Sequence, residues 1–237
     1  MDNSNIRDDL KPTGADAAHT VAKASLSSIP VIGGAAAEIF SAVFAPPLNK
    51  RRDKWLISIF DGLKRLEEEI KGFKIEELSK NDKFITVAMQ ASQAAIRNHQ
   101  AEKLEALRNA VLNAALPNPV EEDIQLMFLH FVDELTPWHL RVLRLFDDPR
   151  AWGLKQGITY PESHLLGSSS KVLEHAFPEL VGRRAFYDQL ARDLFSRGLM
   201  KTDSLHTTIT AQGMFASLTT DMGKQFINFV KAPVEKV

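Results

Sequence analysis

The chain has 237 residues, 44% of them hydrophobic and 25% charged, which is enough apolar content for one substantial core or two small ones and too much for global disorder. Its formal charge of −1 supplies no overall attraction to nucleic acid or anionic lipid, so either partner requires a local patch. No cysteine is present, which excludes disulfides, thiolate zinc sites and a cysteine nucleophile, and a cytoplasmic location is expected.

The opening stretch MDNSNIRDDLKPTGADA lacks the positive start and apolar run of a secretory signal. Residues 1–28 therefore read as an acidic flexible leader with a short helix over Ala15 to Ser27. The next stretch, SIPVIGGAAAEIFSAVFAPPLNKRRDKW, sets small and apolar residues against a basic cluster. Pro30 suits the first turn of a helix, and Pro46 with Pro47 is predicted to end it. Such a helix carries Ile32, Ala36, Ile39 and Val43 on one face with Phe40 and Phe44 beside them, and Lys50, Arg51, Arg52 and Lys54 follow. Apolar surface beside cations is the make-up of an interfacial membrane segment, peripheral at an anionic inner membrane. A spanning helix is not expected, because Glu38 at a bilayer centre costs about 2.5 to 3.5 kcal/mol. The arrangement is similar to that of pore-forming helical bundles of the HeLo type, which hide such a segment until it is released. The competing reading is a buried small-residue helix with the cluster merely solvated.

Leu56, Ile59, Leu63, Leu66, Ile70 and Phe73 then recur at three- and four-residue spacing, which predicts one amphipathic helix from Leu48 to Lys71. Asn81 caps a helix whose face carries Phe84, Ala88, Ala91 and Ala95, and another follows with Leu104, Leu107, Val111 and Ala114 on one side. The Pro117 to Pro119 break closes a helical bundle over residues 29–116.

A second module is expected over residues 120–237. It begins with Ile124, Met127, Phe128 and Phe131 on one helical face, and Thr136 caps the next helix with Pro137 in its first turn and Leu135 stapled to Leu140. Pro149 to Ser170 reads as a long irregular connection or a short-helix excursion. Phe186, Leu190, Leu194 and Phe195 share one helical side, Gly198 stops that helix, and LMKT and HTTIT are short β-favouring pieces. A last helix runs through Met222, Phe226 and Phe229. Helix, Gly-Leu, two short strands, Thr-x-x-x-Gly and a final helix resemble a winged-helix module over Glu134 to Val230, which implies a small two-stranded wing. An apolar helical first half followed by a GLM…LTTDMGKQFINFV ending also resembles bacterial abortive-infection alpha-type proteins. That resemblance implies a role in protecting a bacterial population against phage, with no catalytic residues to carry over.

A DNA-reading winged helix would use Arg183, Arg184, Arg192 and Arg197, yet Asp188 and Asp193 offset them. From Val120 onward, 13 Lys and Arg stand against 15 Asp and Glu, and a phosphate-binding module is normally basic. Nucleic acid is thus the less favoured partner, and an unknown protein or a second copy of the chain is the other expectation. His130 and Glu134 are one turn apart, but no second histidine at metal-ligand spacing accompanies them. Walker, dinucleotide and GxSxG motifs are all missing, and GSSS at Gly167 to Ser170 reads as a turn.

The sequence thus predicts a mainly α protein, a helical bundle followed by a winged-helix-like module, acting without catalysis or cofactor as an effector or interaction protein. The alternative is a winged-helix DNA-binding regulator with a helical dimerisation half.

Overall fold

The structure is a computed structural model that describes residues 34–117, 119–160, 167–210 and 212–233, with side chains from residue 47 onward. The leader 1–28 and Ile32 lie outside the described residues, as do the side chains of Ile39, Phe40, Val43 and Phe44. Ten α-helices make up the described part: α1 Gly34–Glu69, α2 Ile75–Leu78, α3 Asp82–Arg97, α4 Ala101–Ala114, α5 Glu122–Glu134, α6 Pro137–Asp147, α7 Pro149–Gln156, α8 Ser169–Ala176, α9 Arg184–Ser196 and α10 Asp221–Val230.

The first helix departs from expectation. Pro46 and Pro47 do not end it: α1 runs unbroken for 36 residues, about 54 Å at 1.5 Å per residue. Each proline deletes one backbone bond of the ladder, but the helix resumes at once on the apolar repeat that follows. The buried side of that repeat begins one residue earlier than predicted. Trp55 is 5% exposed whereas Leu56 is 38% exposed, so the seam runs through Trp55, Leu63 and Leu66 onto α3 and α4. At Gly62 the approach to α4 is so close that a Cβ would lie 2.8 Å from Leu112 Cδ1 and from Arg108 Nη2.

Local signals shaped the middle helices as the sequence predicts. Asn81 Oδ1 accepts from the Phe84 amide at 3.1 Å, and Phe84, Ala91 and Ala95 are buried on the inward face of α3 with Val87 and Ala94. At the start of α6, Thr136 and His139 form a reciprocal capping box. Leu135 and Leu140 are both buried there. Of the two expectations for the region after Pro149 the short-helix excursion is the one formed, because Asp148 Oδ1 accepts from the Ala151 amide and starts α7 immediately.

One buried cluster extends from Trp55 to Val230, through both predicted regions. The last helix is the reason. Phe226 sits edge-on to Phe128 at 5.3 Å and to Phe131 at 6.0 Å, seating α10 against α5. Its carbonyl end, which has no intrahelical donors, is met by α4: Asn109 Nδ2 donates to Val230 O at 3.1 Å, and Asn113 Nδ2 donates to Phe229 O and Lys231 O at 2.8 Å. Lys103 does the same for α5, with its buried ammonium 2.6 Å from Asp133 O.

The two-stranded wing is not formed among the described residues. Two isolated antiparallel bridges stand in its place, Met200 with Thr219 and Gly167 with Ile209. The HTTIT piece therefore pairs away from LMKT, and a 3-10 turn at Gly213–Phe215 interrupts the return. The Gly-Leu and Thr-x-x-x-Gly pieces do meet. Thr220 Oγ1 accepts from the Gly223 amide, and a Cβ on Gly223 would lie 2.2 Å from Leu199 O, so only glycine fits. Phe195, placed on one helical side with Leu190 and Leu194, is 45% exposed while those two are buried, and Met222 in the last helix is 40% exposed.

Candidate functional site

Where α1 enters the core, its basic cluster divides. Arg51, Lys54, Trp55 and Ser58 fall at i, i+3, i+4 and i+7 and so share one face. Together with Ala95 and Asn98 at the end of α3 and Leu104, Glu105 and Arg108 on α4, they line a groove of about 280 Å³. Lys50 and Arg52 do not line it. Both are exposed, and Arg52 Nη2 lies 3.3 Å from its neighbour Asp53.

Packing fixes the groove's inner wall. Trp55 Nε1 donates to Ser92 Oγ on α3 at 2.8 Å, and Ser92 Oγ in turn donates to Ala88 O at 2.6 Å. Arg108 Nε donates to Ser58 O on α1 at 2.9 Å, tying α4 to the same turn. Burial, reinforced by Arg65, pushes the Arg108 guanidinium down from its ordinary value, with Asp61 and Glu105 acting against this. Arginine starts so far above neutrality that it stays a cation here. Among the described residues none of Arg51, Lys54 and Arg108 makes an ion pair, and Glu105 is the single carboxylate of the lining. Three cations at the edge of an apolar wall of Trp55, Ala95 and Leu104 suit a ligand that is anionic at one end and apolar at the other.

The four arginines of the second half are placed differently. Arg183 stacks over the Phe186 ring at 4.5 Å, and Arg184 Nε is 3.4 Å from Asp188. Arg192 Nη2 donates to Gln189 Oε1 at 3.0 Å. Arg197 turns back to α5, pairing with Glu134 at 3.1 Å and donating to Asp193 O at 3.2 Å. Arg183, Arg184 and Arg192 are exposed at the start and on the outer side of α9, and Arg197 is held against its neighbour helix.

His130 and Glu134 do pair, at 3.0 Å on the exposed side of α5. His139 is buried. Its Nδ1 accepts from the Thr136 amide at 3.0 Å, so the proton sits on Nε2, which donates to Asp193 Oδ2 at 3.2 Å. Thr136 Oγ1 lies 2.9 Å from the same Nδ1, giving a hydroxyl, imidazole and carboxylate in a row. That row is a helix cap rather than a catalytic relay, because the Nδ1 lone pair needed to take a hydroxyl proton is held by a backbone amide. Burial pushes the His139 pKa down, opposed by the bond to Asp193. Among the described residues no group of three His, Asp or Glu side chains is arranged to hold a metal.

Sequence reasoning missed Trp55, Ser58 and Arg108 as groove residues. The available signal was Arg108 itself, a charge set between Leu107 and Val111 in the apolar stretch of α4. Comparison with protein-family models, with curated proteins and with solved structures finds no match for this chain.

Proposed function

We propose that this chain is a non-enzymatic helical interaction protein that attaches to an anionic membrane surface through the outer part of α1. The observation that carries the reading is the reach of that helix beyond Trp55, its first buried residue among those whose side chains are described. Pro47, Leu48, Lys50, Arg51, Arg52 and Lys54 are all exposed, Leu48 at 42%, and the sequence before them is AEIFSAVFA from Ala37. Each lysine or arginine near an anionic bilayer contributes about 1 kcal/mol, so the four together supply roughly 4 kcal/mol before any apolar insertion. Among the residues whose side chains are described, burial in α1 begins at Trp55, so insertion of the exposed residues 47, 48, 50–52 and 54 leaves the described core closed. Among the described residues no helix is long and apolar enough to cross a membrane, which leaves attachment at the interface as the form of contact. The winged-helix-like order of the second half, with its arginines engaged by neighbouring side chains and carbonyls, supports a protein-contacting role for that module. The resemblance to abortive-infection proteins supplies phage defence as the setting.

The test is flotation with phosphatidylglycerol-containing and with pure phosphatidylcholine vesicles, comparing the full chain with one lacking residues 1–49. The full chain is expected to float on the anionic vesicles only, and less as salt rises through the screening range. The shortened chain is expected to stay folded by circular dichroism and to lose flotation. Equal flotation of a folded shortened chain would remove residues 1–49 from the reading, and flotation of neither would remove the membrane.

A further inference from the structure

We propose that the groove between α1, α3 and α4 seats the phosphate of an anionic phospholipid headgroup, with Arg51, Lys54 and Arg108 as its cationic ligands and Trp55 and Leu104 against the adjoining apolar part of the lipid. This rests on the membrane reading and goes beyond it, because a charged collar needs only proximity to a bilayer whereas a seat recognises one group.

Three features separate this groove from a solvated basic patch. The cations come from two helices, Arg51 and Lys54 from α1 and Arg108 from α4, and all three line the same cavity. Arg108 is held by its Nε bond to Ser58 O, which fixes the guanidinium in place while its terminal nitrogens make no ion pair among the described residues, Asp61 and Glu105 acting on it only from beyond ion-pair distance. A preorganised, partly desolvated guanidinium is where a phosphate gains most from charge-assisted hydrogen bonds. The third feature is the wall. Trp55, Ala95 and Leu104 give the groove an apolar lining that a free phosphate does not use. A volume of about 280 Å³ is at the small end for ligand cavities, about the 300 Å³ where they begin, so it fits a headgroup with its first carbons and not a whole lipid.

Placement agrees with this chemistry. Arg51 and Lys54 belong to the same turns of α1 as Lys50 and Arg52, which are exposed and do not line the groove. A bilayer met by the outer part of α1 therefore has its headgroup layer at the groove mouth. Lys50 and Arg52 would then add attraction without selectivity.

The experiment is a titration of the full chain with short-chain phosphatidylglycerol held below its micelle-forming concentration, followed by tryptophan fluorescence. Short-chain phosphatidylcholine and inorganic phosphate are titrated in parallel, and Trp55→Phe assigns the signal to the groove. Saturable binding of phosphatidylglycerol is expected, with much weaker binding of the other two. Arg108→Gln and Lys54→Gln are each expected to weaken it about tenfold, as for loss of one charge-assisted contact, while Lys50→Gln, which removes no contact in the groove, weakens it less than about twofold. Lys54 is exposed, so its variant carries the test if Arg108→Gln does not fold. Inorganic phosphate binding as tightly as the lipid would make the ligand a free phosphate and overturn the lipid assignment. Equal binding of phosphatidylcholine, or unchanged binding by both groove variants, would overturn the seat. Vesicle flotation that survives such a result leaves the attachment of α1 standing, and short-chain binding without flotation leaves the seat standing and removes the attachment.

Discussion

Two basic clusters of four residues lie at opposite ends of the molecule's logic. Lys50, Arg51, Arg52 and Lys54 precede the core, and Arg183, Arg184, Arg192 and Arg197 flank and fill α9. Composition gives them equal weight as candidate binding surfaces. Their surroundings do not. In the second cluster, Arg184 and Arg197 meet carboxylates, Arg192 meets an amide and Arg183 lies over a ring, so the side chains join α9 to itself and to α5. In the first, among the described residues only Arg52 has a carboxylate within ion-pair distance, that of Asp53, while Arg51 and Lys54 border a cavity with one acidic residue in its lining. The second cluster's cations are engaged by side chains of α9 and α5, whereas Arg51 and Lys54 make no ion pair among the described residues and are available to a ligand.

The largest expected effect on this contrast comes from a residue with no charge. Gly62 sets the close approach of α1 and α4 that brings Arg108 to the groove, and Gly62→Ala puts a Cβ 2.8 Å from Leu112 Cδ1 and Arg108 Nη2. Overpacking of this kind costs about 1 to 3 kcal/mol, read from the denaturation midpoint, and short-chain phosphatidylglycerol binding should weaken with it. An unchanged midpoint would show that the groove is not fixed by packing. Arg197→Met comes next. It removes a partly exposed pair with Glu134 and a bond to Asp193 O, for a loss of about 1 kcal/mol with vesicle binding intact.

The last effect is a slope with pH. The His139 pKa is pushed down in the folded protein, so between that folded value and the ordinary histidine value of about 6.5 the unfolded chain binds more protons. Stability therefore falls as pH drops below about 6.5 and levels off once the folded histidine also protonates. Above that range this contribution is fully present. Urea midpoints at stepped pH, compared with His139→Gln, measure it; a slope that is the same in the variant would assign it elsewhere.

The parts of this fold that the sequence announces are those set by local chemistry. Asn81 announces α3, Thr136 with Pro137 announces α6, and Gly198 with its φ of +69° announces the end of α9. Long-range partners are silent in sequence. Asn109 and Asn113 look like ordinary polar interruptions of α4, and only the arrival of α10, more than 110 positions later, makes them its cap. Pro46 and Pro47 announce a stop that does not occur, because the propensity of two residues is weighed against a seam that continues to Leu66. The wing fails for a related reason: β-favouring residues at 207–210 find Gly167, not residues 199–202, as their neighbour. The groove was half legible. Arg51 and Lys54 stood out as part of a cluster, and Arg108, 54 positions beyond Lys54, joins them only through the α1 and α4 contact.

The central claim is that the two clusters differ in kind, and one measurement addresses it directly. Flotation on phosphatidylglycerol-containing vesicles is compared for the unchanged chain, for a variant with Lys50, Arg51, Arg52 and Lys54 all replaced by Gln, and for one with Arg183, Arg184, Arg192 and Arg197 all replaced by Gln. The account predicts that the first variant stays folded and no longer floats, and that the second is less stable and still floats under conditions where it is folded. Flotation kept by the first variant and lost by a folded second variant would contradict it.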